Sequence, residues 1–300
     1  MTFSTGTKRN GANISQENVM KSFLCTLAAL LLTTTVFAAQ PPISLHLIAI
    51  PGALETHVYG VSNKNLAVGY YIDSTGNWHG MQIAGSKVTN IDDPNGTNTI
   101  CWNANASGVV ACYYIDGSGA SRAFLYHNGN YQEFGPPGAQ QALAYGINDL
   151  NQVAGEFLDT DNVWKGFIYN GTSFQTLEVP GALASYAFDI NINGLVTLQW
   201  QDSSGAIESS LYNGTSYTTI DVPGATGTYA HAIDAAGDVV FSWTDSSGLF
   251  HAAALMNGKI KKFDGPQCVN GTYADGINDH HYIVGVCATS GLRDGFWLKY

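Results

Sequence analysis

The chain has 300 residues and carries 12 Lys and Arg against 23 Asp and Glu, a formal charge of −11 at pH 7. With no basic cluster along it, that balance excludes nucleic acid and an anionic membrane surface as expected partners. Charged residues make up only 12% and 34 positions are Gly, the composition of short strands joined by tight turns.

In chain order the first element is KSFLCTLAALLLTTTVFA, Lys21 to Ala38. A basic start, an apolar stretch of export length and small residues at Val36 and Ala38 mark a secretory signal peptide cleaved near Ala38. Residues 1–19 are either an extended leader or an upstream start, with Met20 the true one. Cys25 stands too early in the apolar run to carry a lipid anchor. No second long apolar segment follows, so no membrane span is expected. The expected product is a secreted or periplasmic monomer with a single domain over residues 39–300. It retains Cys101, Cys112, Cys268 and Cys287, an even number that in an exported chain favours disulfides.

From Leu45 onward one pattern repeats. Pro51, Pro94, Pro137, Pro180, Pro223 and Pro266 are spaced by 43 residues throughout. A constant period of that length belongs to repeat architectures, in which each copy buries its apolar faces only against its neighbours. The third copy reads ALAYGIN, VAGEFLD, WKGFIYN and FQTLEV, four apolar or aromatic runs separated by Asn, Asp and Gly turns. They predict antiparallel strands a, b, c and d. After strand b comes Asp73, Asp116, Asp159, Asp202 or Asp245, with Gly76, Gly119, Asn162, Gly205 or Gly248 three residues on. Strand c ends in Asn-Gly at Asn128, Asn170, Asn213 and Asn257, which predicts a hairpin with both turn residues at positive φ. In strand a, small residues (Ala144, Gly146) alternate with bulky ones (Tyr145, Ile147), so the aromatic of one unit is expected to pack on the small face of the next.

The last copy supplies strands a, b and c and then ends at Tyr300. The missing strand d stands at the other end, where Leu45 to Ile50 precede Pro51 as Phe174 to Val179 precede Pro180. The fold predicted is therefore an all-β, six-bladed β-propeller of four-stranded antiparallel blades, closed by an N-terminal strand pairing with the C-terminal blade. Within blade two, the a–b turn centres between Ala106 and Ser107, equidistant from Cys101 and Cys112, so these two should face each other and bond. Cys268 and Cys287 approach one face of blade six and form the second expected bridge.

The core GINDLNQVAGEF (Gly146 to Phe157) with WKGFIY, and its variants GVSNKNLAVGYY and GINDHHYIVG, resembles the HAF family of extracellular repeats over about Leu45 to Tyr300. The resemblance implies export and a propeller-like repeat; the family has no agreed catalytic residues to transfer. The chain departs from the pattern at Glu208–Ser210 and His251–Ala253, where the Phe is lost, which makes blades four and five the degenerate ones.

The aromatic position of strand a runs Tyr59, Trp102, Tyr145, then His231 in blade five and Asp275 in blade six. His231 and Asp275, with Asp189 near them, are the candidates for an acid/base or metal pair at the channel mouth. Tyr59, Trp102 and Tyr145 are the matching candidates for ligand contact. Asp159 and Asp161 stand two apart in DTDN and could offer oxygens to Ca²⁺, although an Asp opening a hairpin turn explains them better. Residues opening strand c (His79, Arg122, Lys165, Glu208, His251, Asp294) read as a solvated rim with ion pairs between neighbouring blades. Asn-Gly-Thr at Asn95, Asn170, Asn213 and Asn270 matches a glycosylation acceptor, but the turn accounts for most of these. No nucleophile elbow, phosphate loop, dinucleotide fingerprint or zinc-protease motif occurs.

The function expected is a non-enzymatic, exported binding module for an extracellular glycan or protein. It would work on the face made by the d–a loops, which begin at each Pro-Gly-Ala, and the b–c loops. The alternatives are a polysaccharide- or lactone-directed hydrolase or lyase using His231, Asp275 and Asp189, or a structural surface protein. No cofactor is expected beyond the Ca²⁺ reading.

Overall fold

In the computed structural model, which describes residues 45–300, the repeats build six four-stranded antiparallel sheets. In the third copy the strands are Gln141–Ile147, Val153–Leu158, Trp164–Tyr169 and Phe174–Leu177. Polar side chains at the turn openings make the hairpins. Asn148 Oδ1 accepts the backbone N–H of Leu150 and of Gln152 between strands a and b, where Asn151 takes φ 58°. Asp159 Oδ1 accepts those of Asp161 and Val163 between b and c, where Asn162 takes φ 61°. A short side-chain oxygen replaces a backbone acceptor in such turns, and Asn tolerates positive φ. The predicted signal peptide, residues 1–38, lies outside the described residues.

The Asn-Gly c–d turns divide into two kinds. Asn128-Gly129 and Asn257-Gly258 are two-residue loops with both residues at positive φ, as expected. In blades three and four only Gly171 and Gly214 are left-handed. There Asn170 Oδ1 accepts from the N–H groups of Thr172 and Ser173, and Asn213 Oδ1 from those of Thr215 and Ser216. The Thr-Ser that follows Asn-Gly in these two copies supplies the donors that lengthen the loop to four residues.

The ring closes as its strand count requires. His46–Ile48 pairs antiparallel with Arg293–Lys299, placing His46 opposite Trp297 and Leu47 opposite Phe296. The sixth sheet thus takes its outermost strand from the N-terminal side and its other three from the C-terminal end. Closure removes the two open sheet edges that a linear array would expose.

Blade-on-blade packing rests on one pair of facing residues in strands b and c. Gly69 lies opposite Met81, Cys112 opposite Phe124, Gly155 opposite Phe167 and Gly285 opposite Phe296. These four bulky strand-c side chains are fully buried, and a Cβ at Gly155 or Gly285 would strike the ring opposite. Blades four and five reverse the arrangement: Leu198 faces Ser210 and Phe241 faces Ala253, with Leu198 and Phe241 fully buried on strand b. The Phe missing from strand c is therefore replaced in volume from across the ladder. This corrects the reading of blades four and five as degenerate, because a close-packed interior responds to filled volume whichever strand supplies it.

Strand a also departs from plain alternation. In all six blades its pairing with strand b slips by one residue, and the residue left unpaired is Tyr59, Trp102, Tyr145, Phe188, His231 or Asp275. A bulge inserts one extra residue and re-aims its side chain. These six turn into the central channel instead of packing on the next blade. The small positions beside them admit neighbouring backbone: a Cβ on Gly60 would collide with Trp102 O, and one on Gly146 with Asp189.

The slip also explains the first disulfide. Ala104 lies opposite Val110 and Asn103 opposite Ala111, so the turn centres on Ser107, one half-step beyond the expected point. The bulge at Trp102 cancels that offset and sets Cys101 directly opposite Cys112, Cα atoms 4.1 Å apart and bonded. Cys268 and Cys287 form the second bridge, and Leu45 packs into the same buried cluster.

Candidate functional site

At mid-height the six bulged residues plug the channel. Tyr59 stacks on Trp102 at 4.2 Å between ring centroids and Tyr145 on Phe188 at 4.9 Å, while Trp102 meets both Tyr145 and Phe188 edge-on. Offset and edge-to-face contacts of this kind add to the burial of the rings themselves. His231 completes the circle beside Phe188, with Nδ1 2.9 Å from Asp275 Oδ1. That approach is misaligned for a hydrogen bond, and neither His231 Nδ1 nor Asp275 Oδ2 has another partner among the described residues. The free space beside the plug is about 10 Å³, room for about one water molecule.

The expectation that His231 and Asp275 lie at the channel mouth is thereby corrected. They are the fifth residue of Gly227–Ile233 and the fourth of Thr272–Ile277, inside the plug. Asp189 lines the same small space as these two, but both of its oxygens are taken by other donors. Its Oδ1 accepts from Ile190 N and, across the channel, from Asn103 Nδ2; its Oδ2 accepts from Ile233 N of the next blade. Burial pushes its carboxyl up to about 7 against those three bonds. Glu156 of strand b is a second buried acid, raised by burial to about 7 while accepting the Tyr145 hydroxyl at 2.9 Å. Tyr59, Trp102 and Tyr145, expected as ligand contacts, spend their faces on one another.

Either side of the plug the channel opens into mouths of different chemistry. At the a–b turns the wall is amide. Asn105, Asn148 and Asn191 each donate from Nδ2 to the matching backbone carbonyl one blade on, those of Asn148, Asn191 and Asp234; Asn278 donates likewise to Ser62. An apolar cleft of about 330 Å³ also opens between blades six and one, walled by Ile48, Ile83, Tyr282 and Trp297.

The opposite mouth, at the d–a and b–c loops, is aromatic. Two residues before the plug, on the same side of strand a, stand His57, Tyr186, Tyr229 and Tyr273. Trp78, which opens strand c at the rim, stacks on Tyr70, which stacks on His57, and Tyr70 leans on Tyr59. In the adjoining blades six and five, Phe250 packs on Tyr273 at 4.8 Å and on Tyr229 at 5.4 Å, and the Arg293 guanidinium lies 5.7 Å over the Tyr273 ring. Tyr186, Tyr229, Tyr273 and Phe250 are half-buried, and Trp78 is exposed. Glu55 holds His57 Nε2 at 2.8 Å; burial lowers the pKa of that imidazole in spite of the carboxylate. Alternation along strand a could have pointed to Tyr186, Tyr229 and Tyr273. The Trp78 and Phe250 partnership is tertiary, and nothing in the sequence announces it.

Around this face the rim residues pair within a blade instead of between blades. Arg122 meets Asp116 at 2.7 Å, Lys165 meets Asp159 at 3.2 Å, and His79 and His251 meet Asp73 and Asp245. The hairpin itself brings together a turn Asp and the residue six positions later, which no neighbouring blade can match. Asp159 thus gives one oxygen to its turn and the other to Lys165, while Asp161 donates its N–H to Asp159 in the same turn. A cleft of about 230 Å³ between blades two and three, lined by Arg122, Glu133, Pro136 and Gln141, opens beside the d–a loops.

No protein-family model matches the chain, and neither does any curated protein sequence. Solved propellers do match it. It shares its fold with fungal lectins. The Aleuria aurantia lectin, a six-bladed propeller described by its novel fucose recognition mode, is 11% identical, with 85% of this chain and 93% of the lectin covered at a TM-score of 0.52. AofleA from Arthrobotrys oligospora is also 11% identical, over 86% and 87%, at 0.54. Identity this low carries the fold alone.

Proposed function

We propose that this chain is an exported, non-enzymatic propeller that binds an extracellular glycan through the face made by the d–a and b–c loops. The observation that carries the reading is the aromatic mouth, where the stack Trp78–Tyr70–His57 and the cluster Tyr229–Phe250–Tyr273 flank the channel with Glu55 and Arg293 beside them. A sugar ring has apolar C–H faces and a hydroxyl edge. Flat, partly wet aromatic rings with a few charged hydrogen-bonding groups suit both. Lectin activity in propellers of the same fold, the two disulfides and the resemblance to HAF repeats all support the reading. The alternative of a hydrolase or lyase fares worse, since His231 and Asp275 sit among the packed rings of the plug and both oxygens of Asp189 are already hydrogen-bonded.

The test is a glycan array probed with the purified protein, followed by calorimetry on any hit. Trp78→Ala and Tyr273→Ala should each weaken binding by at least about tenfold, the loss of ~1.4 kcal/mol that one aromatic stacking contact can supply. Binding that ignores both substitutions, or an array without any hit, would sink the proposal.

A further inference from the structure

The ring of amide side chains at the a–b mouth is interrupted twice, by Ser62 in blade one and by an acid in blade five. The equivalent positions hold Asn105, Asn148, Asn191 and Asn278 in blades two, three, four and six. Each uses Oδ1 to close its own turn and Nδ2 to reach the next blade. In blade five the position is Asp234, whose carboxylate has no N–H to give. Its Oδ1 closes the turn by accepting from Asp238 N at 2.9 Å. Its Oδ2 is buried and has no hydrogen-bond partner among the described residues, although the side chain is only 1% exposed.

What Oδ2 faces is unlike the surroundings of the other five positions. Asp238, four residues on, fixes its Oδ1 on Asn257 N at 3.0 Å and leaves Oδ2 free. His281, in the a–b turn of blade six, brings Nε2 to 3.6 Å from Asp234 Oδ2 and to 3.6 Å from Asp238 Oδ2. These distances are too long for hydrogen bonds. They do match a coordination polyhedron: three ligands about 2.1 Å from a zinc ion stand about 3.4 Å apart at the corners of a tetrahedron. The ligand atoms of all three residues lie within 4.8 Å of one another. We propose that Asp234, Asp238 and His281 form a divalent transition-metal site of the zinc type that joins blade five to blade six where the amide ring is broken.

The ligand chemistry favours Zn²⁺ over Ca²⁺. An imidazole with two carboxylate oxygens suits a borderline ion, whereas Ca²⁺ takes six to eight oxygens. The ligands are also held in place. Each carboxylate is oriented by a backbone N–H on its other oxygen, and the His281 carbonyl accepts from Tyr300 N at 3.0 Å. His281 is 44% exposed, which leaves a path for the ion and a fourth corner for water. Burial and the charge of Asp238 raise the pKa of Asp234, and a bound cation would relieve that like-charge repulsion. The other His–Asp₂ clusters differ: His79 and His251 each bond carboxylates through both ring nitrogens at 2.8–3.2 Å, leaving no imidazole lone pair for a metal.

The experiment is a calorimetric titration of the full chain with Zn²⁺, with melting temperatures measured in Zn²⁺ and in EDTA. The variants come from the protein's own repeats. Asp234→Asn restores the amide found in four other blades, and His281→Asn places Asn at a position where Asn65 and Asn151 already hold positive φ. Wild type should bind one Zn²⁺ and melt higher with it. Both variants should fold, bind at least about tenfold more weakly and lose the Zn²⁺-dependent rise. Wild type that neither binds nor shifts would overturn the proposal, as would Zn²⁺ binding left intact in both variants.

Discussion

The exchange of bulk between strands b and c makes a prediction specific enough to fail. Phe241 is fully buried in blade five and faces Ala230 on one side and Ala253 on the other, so the space left by Phe241→Ala has no bulky neighbour across the ladder to fill it. Removing a buried Phe ring costs about 3–5 kcal/mol, and a site that cannot collapse belongs in the upper half of that range. Ala253→Phe alone adds a ring to a filled space and should cost about 1–3 kcal/mol. Combining Phe241→Gly with Ala253→Phe copies the layout of Gly155–Phe167 and Gly285–Phe296. The pair should return to within about 2 kcal/mol of wild type, allowing for repacking and for a glycine inside a strand. Guanidinium unfolding of wild type, the three single variants (Phe241→Ala, Phe241→Gly and Ala253→Phe) and the double variant would give the coupling energy directly. If the double variant were no more stable than Phe241→Gly alone, the blades would not be exchanging volume across the ladder and the argument would be wrong.

Two further outcomes follow from the fold and the channel. Deleting residues 45–50 removes the strand paired to Arg293–Lys299, exposes an edge and uncovers Trp297, on which His46 stacks at 4.3 Å. The melting temperature should fall sharply in a thermal scan, and an unchanged transition would disprove closure by this strand. Glu156 has a folded pKa raised from 4.5 to about 7, so the native state holds a proton that the unfolded chain has lost across that window. The contribution is therefore present at low pH and is lost as pH rises through the folded value. Glu156→Gln keeps an acceptor for the Tyr145 hydroxyl and cannot ionise. At pH 8 it should be more stable than wild type by up to about 3 kcal/mol, with the difference vanishing near pH 4; equal stabilities at both pH values would refute the assignment.

By itself the sequence determined everything that follows from period and local chemistry. The 43-residue spacing of the prolines set six units, and runs of alternating bulk between Asp, Asn and Gly turns made four strands in each. The run Leu45 to Ile50, which stands before Pro51 as strand d stands before each later proline, predicted the strand that closes the ring. These features are legible because turn hydrogen bonds and hairpin registers involve residues only a few positions apart. The tertiary structure alone decided where side chains point once strands are bent and blades adjoin. The bulge in strand a sent Tyr59, Trp102, Tyr145, Phe188, His231 and Asp275 into a plug instead of onto the next blade, because the neighbouring backbone at Gly60 and Gly146 leaves no room for them on the other side. The substitution of Leu198 and Phe241 for the absent strand-c rings was equally hidden, since volume is conserved across a ladder and not along a chain. Asp234 and His281 lie 47 residues apart in different copies. Only the turn of one blade beside the next brings a carboxylate without a donor to face an imidazole with a free nitrogen.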